Sequence, residues 1–188
     1  MPHAWEIGIF IHIVGVFGMA GATTSLILLF SMMRRAKTVQ DLRVLSHLSA
    51  MVEKAFPVAT LVLLFSGGYL VSELKYHWSS GWINMSALAL IASAAVGLHV
   101  NTSKMNTIHA AADAAPDGPI PESVSGLVND PVLFASVHAL TLVTVGIIWN
   151  MTTKPGDIQA FLAIVLLAAA GVASAYPMYQ RQRERLAD

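Results

Sequence analysis

Charged side chains interrupt this sequence rarely and at wide intervals. Residues 7–33, 55–72, 76–103, 131–153 and 158–180 contain no Asp, Glu, Lys or Arg. Each block is on the scale of the roughly 20 apolar residues that cross the hydrocarbon core of a bilayer. The pattern predicts an all-α polytopic transmembrane helix bundle with five spans. The first block continues to Met33, past the small residues Gly18, Ala20, Gly21 and Ala22, and Met1–Glu6 carries no basic residue. A cleaved signal would have a basic n-region and a shorter apolar core, so residues 5–31 read as a retained first span.

The polar stretches between blocks differ in kind. Thr38 followed by Asp41 is a capping-box pattern, and Leu42, Leu45, Leu48 and Met51/Val52 recur at helical spacing. Helix two is therefore expected to start near Val39, below the membrane, and to enter it with a kink at Pro57, whose ring clashes with the carbonyl of Glu53. Residues 105–130 contain Pro116, Pro119, Pro121, Gly118 and Gly126 among acidic residues. They read as a polar inner loop. Lys154-Pro155-Gly156-Asp157 reads as a tight turn. The expected organisation is a membrane core over 1–156 with inner loop 105–130, then a fifth helix and basic cytoplasmic tail over 157–188.

Composition narrows the chemistry. Hydrophobic residues make up 55% and charged residues 12%, against about a quarter charged in soluble domains. Eleven basic and eleven acidic residues cancel, which argues against a nucleic-acid binder. There is no cysteine. That excludes disulfides, iron–sulfur clusters, thiolate metal sites and covalent c-type haem. With the N-terminus outside, nine of the basic residues fall on the inner side and two, Lys75 and Lys154, on the outer side. This satisfies the positive-inside rule. Trp5, Tyr76, Trp78, Trp82 and Trp149 then form an outer aromatic belt. The expected topology is N-out/C-in, in a bacterial cytoplasmic (inner) membrane.

Ionisable residues inside a membrane are functional candidates by default. Here they are histidines: His12 about two turns inside the outer end of span one, His99 at the inner end of span three, and His138 two turns inside the inner end of span four. Gly8, Gly15, Met19 and Ala22 share the face of His12. A flat tetrapyrrole on an imidazole needs small residues a turn away, so Gly15 makes haem b one reading, with His12, His99 and His138 as candidate iron ligands. At about 1.5 Å per residue, His12 is level with roughly Ser66, Ala89 and Thr144. Met85 or His77 becomes an opposite ligand only if the helices are offset, and His99 with His138 could bracket one haem if tilt closes their separation. The competing reading is that each histidine bonds a neighbouring serine or carbonyl and tightens the bundle. His3, His47, His77 and His109 read as solvated. The methionines are scattered, more like packing filler than a copper site.

Ile11-His12-Ile13-Val14-Gly15-Val16-Phe17-Gly18-Met19-Ala20-Gly21 resembles the first helix of a group of small bacterial membrane proteins. The group comprises copper-resistance D-like domains, J-type protoporphyrinogen oxidases and an uncharacterised predicted integral membrane family. Arg34-Arg35, Phe56-Pro57, Ser66-Gly67-Gly68-Tyr69-Leu70 and Trp149-Asn150-Met151-Thr152-Thr153-Lys154-Pro155 continue the resemblance over about 1–156. It implies a four-helix family-like core with an added C-terminal helix. In the oxidase branch it implies that His12 ligates haem. That branch also carries a lysine near the start of helix three, where this chain has Trp82-Ile83-Asn84-Met85.

Three functions follow as expectations. The first is a b-type haem protein, a membrane oxidoreductase or its cytochrome subunit, transferring electrons with quinone or a respiratory partner. The second is a non-catalytic subunit or scaffold of a larger complex, in contact with lipids and other membrane subunits. The third is copper or small-solute transport.

Overall fold

A computed structural model describes residues 3–180. Helix α1 (Ala4–Met33) is followed by α2 (Val39–Glu53), α3 (Ala55–Glu73) and α4 (Gly81–Val96). A π turn, Gly97–Asn101, leads into α5 (Thr102–Ala114). Then come α6 (Glu122–Val128), α7 (Pro131–Thr153) and α8 (Asp157–Ala173). Five helical stretches are long and apolar enough to cross a membrane: Ala4–Met33, Val39–Glu73, Gly81–Ala114, Glu122–Thr153 and Asp157–Gln180. The described residues form no named strand; Thr38 and Pro119 make an isolated antiparallel bridge. The bundle is all-helical, as the charge-free blocks require. Arg181, Arg183 and Arg185 of the expected basic tail lie outside the described residues.

Helix two begins where its capping chemistry puts it. The Thr38 hydroxyl oxygen accepts from the Asp41 amide at 3.2 Å. The break falls at Lys54, one turn before Pro57. Proline lacks the amide that would bond the Glu53 carbonyl, and its ring pushes that carbonyl aside. The interruption therefore lies where the lost bond would have been, and the proline itself sits in the first turn of α3.

Residues 105–130 are a correction. Within them only the segment between α5 and α6 and the turn at Asn129 and Asp130 are irregular. Met105, Ile108 and Ala112 are buried on one face of α5, and Val124 and Val128 on one face of α6. They pack with Phe30, Met33, Leu42 and Leu133 into one cluster. The helix-breaking prolines and Gly118 begin only after Ala114, and the apolar periodicity before them was masked by the polar residues on the opposite face. The bridge at Thr38 and the bond from Val39 N to Gly118 O, 2.9 Å, tie this segment to the start of α2. Gly118 has φ +133°, a conformation that a side chain would strain. The result is a helical cap at one end of the bundle, built from α2, α5 and α6.

Within the spans, α1 lies chiefly against α3, and α7 against α8 and α4. Gly171 permits the closest approach: a Cβ there would lie 2.4 Å from the Ala139 Cα. Small residues at such crossings let helix backbones meet in a membrane. At the end opposite the cap, the Asp157 carboxylate accepts from the Gly81 amide at 2.9 Å, joining the N-termini of α8 and α4. Lys154 lies over the Tyr76 and Trp82 rings at 4.6 and 5.8 Å, gathering two residues of the expected aromatic belt.

Candidate functional site

His12 is half-buried on the α1–α3 seam, with its Nδ1 2.9 Å from the Ser66 hydroxyl. The Ser66 hydroxyl donates to the Val62 carbonyl of its own helix. A serine has one proton to give, so its lone pair accepts from His12 Nδ1–H. This fixes the tautomer and leaves Nε2 as an acceptor. Gly67 allows the ring to lie against α3: a Cβ there would stand 3.3 Å from the His12 Cε1. Counting helical rise placed Ser66 at the level of His12, and the two residues meet. Gly67, one of the residues that carry the family resemblance, gives the ring its place against α3.

The small-residue face of α1 is closed. A Cβ at Gly15 would lie 3.0 Å from Val62 and 3.1 Å from Leu63. At Gly8 it would lie 2.7 Å from the Tyr69 ring. The glycines serve contact with α3 and leave no slot for a flat macrocycle there. An open apolar groove of about 450 Å³ runs along the outer part of the same seam, and its walls carry no histidine or methionine.

The other intramembrane candidates have separate surroundings. His138 is half-buried on α7; its Nδ1 is bonded to the Phe134 carbonyl at 2.9 Å, and its ring stacks on Phe134 at 3.9 Å. His99 is exposed on the π turn, and Met85 is half-buried on α4. π turns re-aim side chains, and this one brings Asn101 to the Ser136 hydroxyl of α7. Imidazole is suitable donor chemistry for haem b, but the space beside His12 is filled by α3. The residues around His12 do not fit the group.

A second polar constellation lies in the cap, among residues expected to be merely solvated. His47 of α2 and His109 and Asp113 of α5 place one ligand atom each within 4.8 Å of one another. His47 Nε2 is 3.4 Å from Asp113 Oδ1, and His109 Nε2 is 3.7 Å from Asp113 Oδ2. The imidazole rings meet edge to face at 4.0 Å. His109 Nδ1 lies 3.2 Å from the Ser46 hydroxyl, which donates to the Arg43 carbonyl at 2.9 Å. Arg43 donates to the carbonyls of Ala112 and Ala115, and its guanidinium lies 3.6 Å from Asp113 and 3.2 Å from Asp117. The sequence carried half of this signal: His109 and Asp113 are four apart and share a helix face. Reading 105–130 as a loop concealed it.

No curated protein and no solved structure matches this chain. The model of a family described as predicted integral membrane protein (DUF2269) matches residues 8–155, from the second turn of α1 to the turn before α8. That is the uncharacterised branch of the resemblance, over almost the same residues, and it leaves α8 outside the matched core. With the match spanning four of the five membrane-length helices, the chain belongs to the DUF2269 family of predicted integral membrane proteins.

Proposed function

We propose that this protein is a non-catalytic integral membrane subunit. Its five spans, N-terminus outside, anchor a folded helical cap at the cytoplasmic face of a bacterial inner membrane, where it serves a larger membrane complex. One observation carries the reading. The two partly buried intramembrane histidines are committed to internal partners, His12 to Ser66 and His138 to the Phe134 carbonyl, while α3 side chains fill the glycine face of α1. A polar ring in hydrocarbon is costly unless bonded, and these bonds suffice to account for both residues. The packed cap, with Leu42, Ala112 and Leu133 fully buried, gives a partner a defined surface at the end of the bundle.

The test has two arms. Purified wild-type protein and His12→Ala are compared by visible spectroscopy with and without dithionite. The expected result is no reduced α band in either, and a lower melting temperature for the variant. A reduced α band in wild type that disappears in His12→Ala overturns the proposal in favour of a b-type haem protein. In the second arm, crosslinking in native membranes is expected to give a stoichiometric hetero-complex. A chain that stays monomeric there also overturns it. The absence of cysteine makes orientation accessible: an impermeant thiol reagent should label His3→Cys from outside and spare Leu186→Cys.

A further inference from the structure

We propose that His47, His109 and Asp113 bind one borderline divalent transition-metal ion, with Zn²⁺ as the working probe, and that the ion clamps α2 to α5 in the cap. The site is separate from the membrane-embedded histidines and does not depend on what they do.

The hydrogen-bond count makes the first argument. The single Ser46 proton goes to the Arg43 carbonyl, so Ser46 accepts from His109 Nδ1–H. That leaves a lone pair on His109 Nε2, which faces the Asp113 Oδ2 at 3.7 Å. Two acceptors this close are favourable only with a cation shared between them, a proton or a metal ion, and a metal ion can take His47 as well. Histidine ligands commonly have this wiring, with the remote ring nitrogen donating to an oxygen that fixes tautomer and orientation.

Spacing makes the second. Zinc holds nitrogen and oxygen ligands at about 2.0–2.2 Å in a tetrahedron, which sets them roughly 3.3–3.6 Å apart. The two imidazoles approach different oxygens of the one carboxylate, His47 Nε2 at 3.4 Å from Oδ1 and His109 Nε2 at 3.7 Å from Oδ2, and one ligand atom from each residue lies within 4.8 Å of the others. Small side-chain rotations close the remaining distance. Two imidazoles and one carboxylate suit a borderline ion, and three protein ligands leave a fourth position for water.

The surroundings are electrostatically permissive. Arg43 is the cation that faces Asp113, and it also pairs with Asp117. With both carboxylates ionised and one guanidinium, the cluster carries one net negative charge before the ion enters. Arg43 is held in place by the carbonyls of Ala112 and Ala115 at the end of α5. Its Nε lies 3.6 Å from Asp113 Oδ1, the oxygen that His47 also approaches, and orients the carboxylate as partners of ligating carboxylates do. The partly open His47 and Asp113 side chains, 54% and 44% exposed, leave an entry path.

The experiment uses the full chain in nanodiscs with any polyhistidine tag removed. Zn²⁺ is titrated calorimetrically and Co²⁺ by visible absorption. One ion per chain should bind, and Zn²⁺ should raise the melting temperature. His109→Ala, Asp113→Asn and His47→Ala should each weaken binding about tenfold or more and abolish the thermal shift, while His77→Ala should change neither. Unaltered affinity in Asp113→Asn and His47→Ala overturns the proposal. So does the lack of saturable Zn²⁺ binding by wild type up to millimolar concentration. His47 has the most exposed ring of the three, so its variant keeps the test valid if another fails to fold.

Discussion

Two histidine–serine pairs, one in the α1–α3 seam and one in the cap, are wired alike and surrounded differently. In each, a ring Nδ1 meets a serine whose proton is already given to a carbonyl of its own helix: His12 with Ser66 and Val62, His109 with Ser46 and Arg43. Around His12 the neighbours are Gly67 and the apolar side chains that cover Gly8 and Gly15. Around His109 they are His47, Asp113 and, beyond the carboxylate, Arg43. The same local device closes a helix contact in one place and presents a nitrogen to charged partners in the other. Local wiring therefore does not assign function to a histidine; what faces its second nitrogen does.

The largest expected effect breaks the membrane side of this pair. Gly15→Leu drives a branched side chain against Val62 and Leu63, where a Cβ alone would stand 3.0 and 3.1 Å away, inside van der Waals contact. Overpacking of this kind costs roughly 1–3 kcal/mol, and because leucine adds further carbons beyond a Cβ that is already too close, the upper part of that range is expected. Melting in detergent should show a large drop, and the His12–Ser66 bond should be lost with it. A Gly15→Leu protein as stable as wild type would mean that the α1–α3 seam is not closed.

Arg43→Ala comes next and acts on the cap. It removes charge-assisted bonds to the Ala112 and Ala115 carbonyls and the guanidinium beside Asp113 and Asp117. A loss of about 2 kcal/mol is expected, read as faster hydrogen exchange in α5 and in the segment that follows it. The spans should keep their protection. Uniform loss of protection across spans and cap would show that the two regions fold as one unit.

The span architecture was legible because a bilayer imposes a length and forbids free charge, so charge-free blocks mark spans directly. The start of α2 at Val39 was legible for a local reason, the Thr38 cap. The level of Ser66 beside His12 followed from helical rise alone. What sequence could not supply was how close each helix comes to its neighbour. Gly8 and Gly15 are equally consistent with a cofactor slot and with a tight crossing, and only the positions of Tyr69, Val62 and Leu63 decide between them. The cap site was hidden differently. His47 and His109 are 62 positions apart in sequence, and they meet only because α5 continues α4 through the π turn as a helix.

His12→Ala sharpens the comparison at smaller amplitude. Interhelical hydrogen bonds in membranes average about 0.6 kcal/mol and reach about 1.7. The variant also leaves the Ser66 lone pair without its donor. A destabilisation of about 1 kcal/mol is expected, with Zn²⁺ binding at the cap unchanged. Loss of Zn²⁺ affinity in His12→Ala would make the two histidine pairs coupled rather than independent.

The smallest effect concerns acid, and it belongs to the cap end. Asp130 caps α7: its Oδ1 accepts from the amides of Val132 and Leu133 at 2.7 and 3.1 Å, and its Oδ2 pairs with Lys104 of α5 at 2.5 Å. Burial alone would raise its pKa. The Lys104 bond, the two backbone amides and the ammonium charge outweigh it and hold the carboxyl below the ordinary value of 3.8. A carboxyl whose folded pKa lies below its unfolded one stabilises the fold above the unfolded value. That contribution fades as pH falls through the folded value, because the unfolded chain takes up the proton first. Asp130→Asn retains a side-chain oxygen for the helix amides but loses the ion pair with Lys104, a partly exposed contact worth about 0.2–1 kcal/mol. Its melting temperature should thus sit slightly below wild type at neutral pH, and the two curves should converge as pH drops below the ordinary carboxylate range. Parallel curves throughout would show that the Lys104–Asp130 pair at the junction of α5 with α7 does not carry the acid sensitivity.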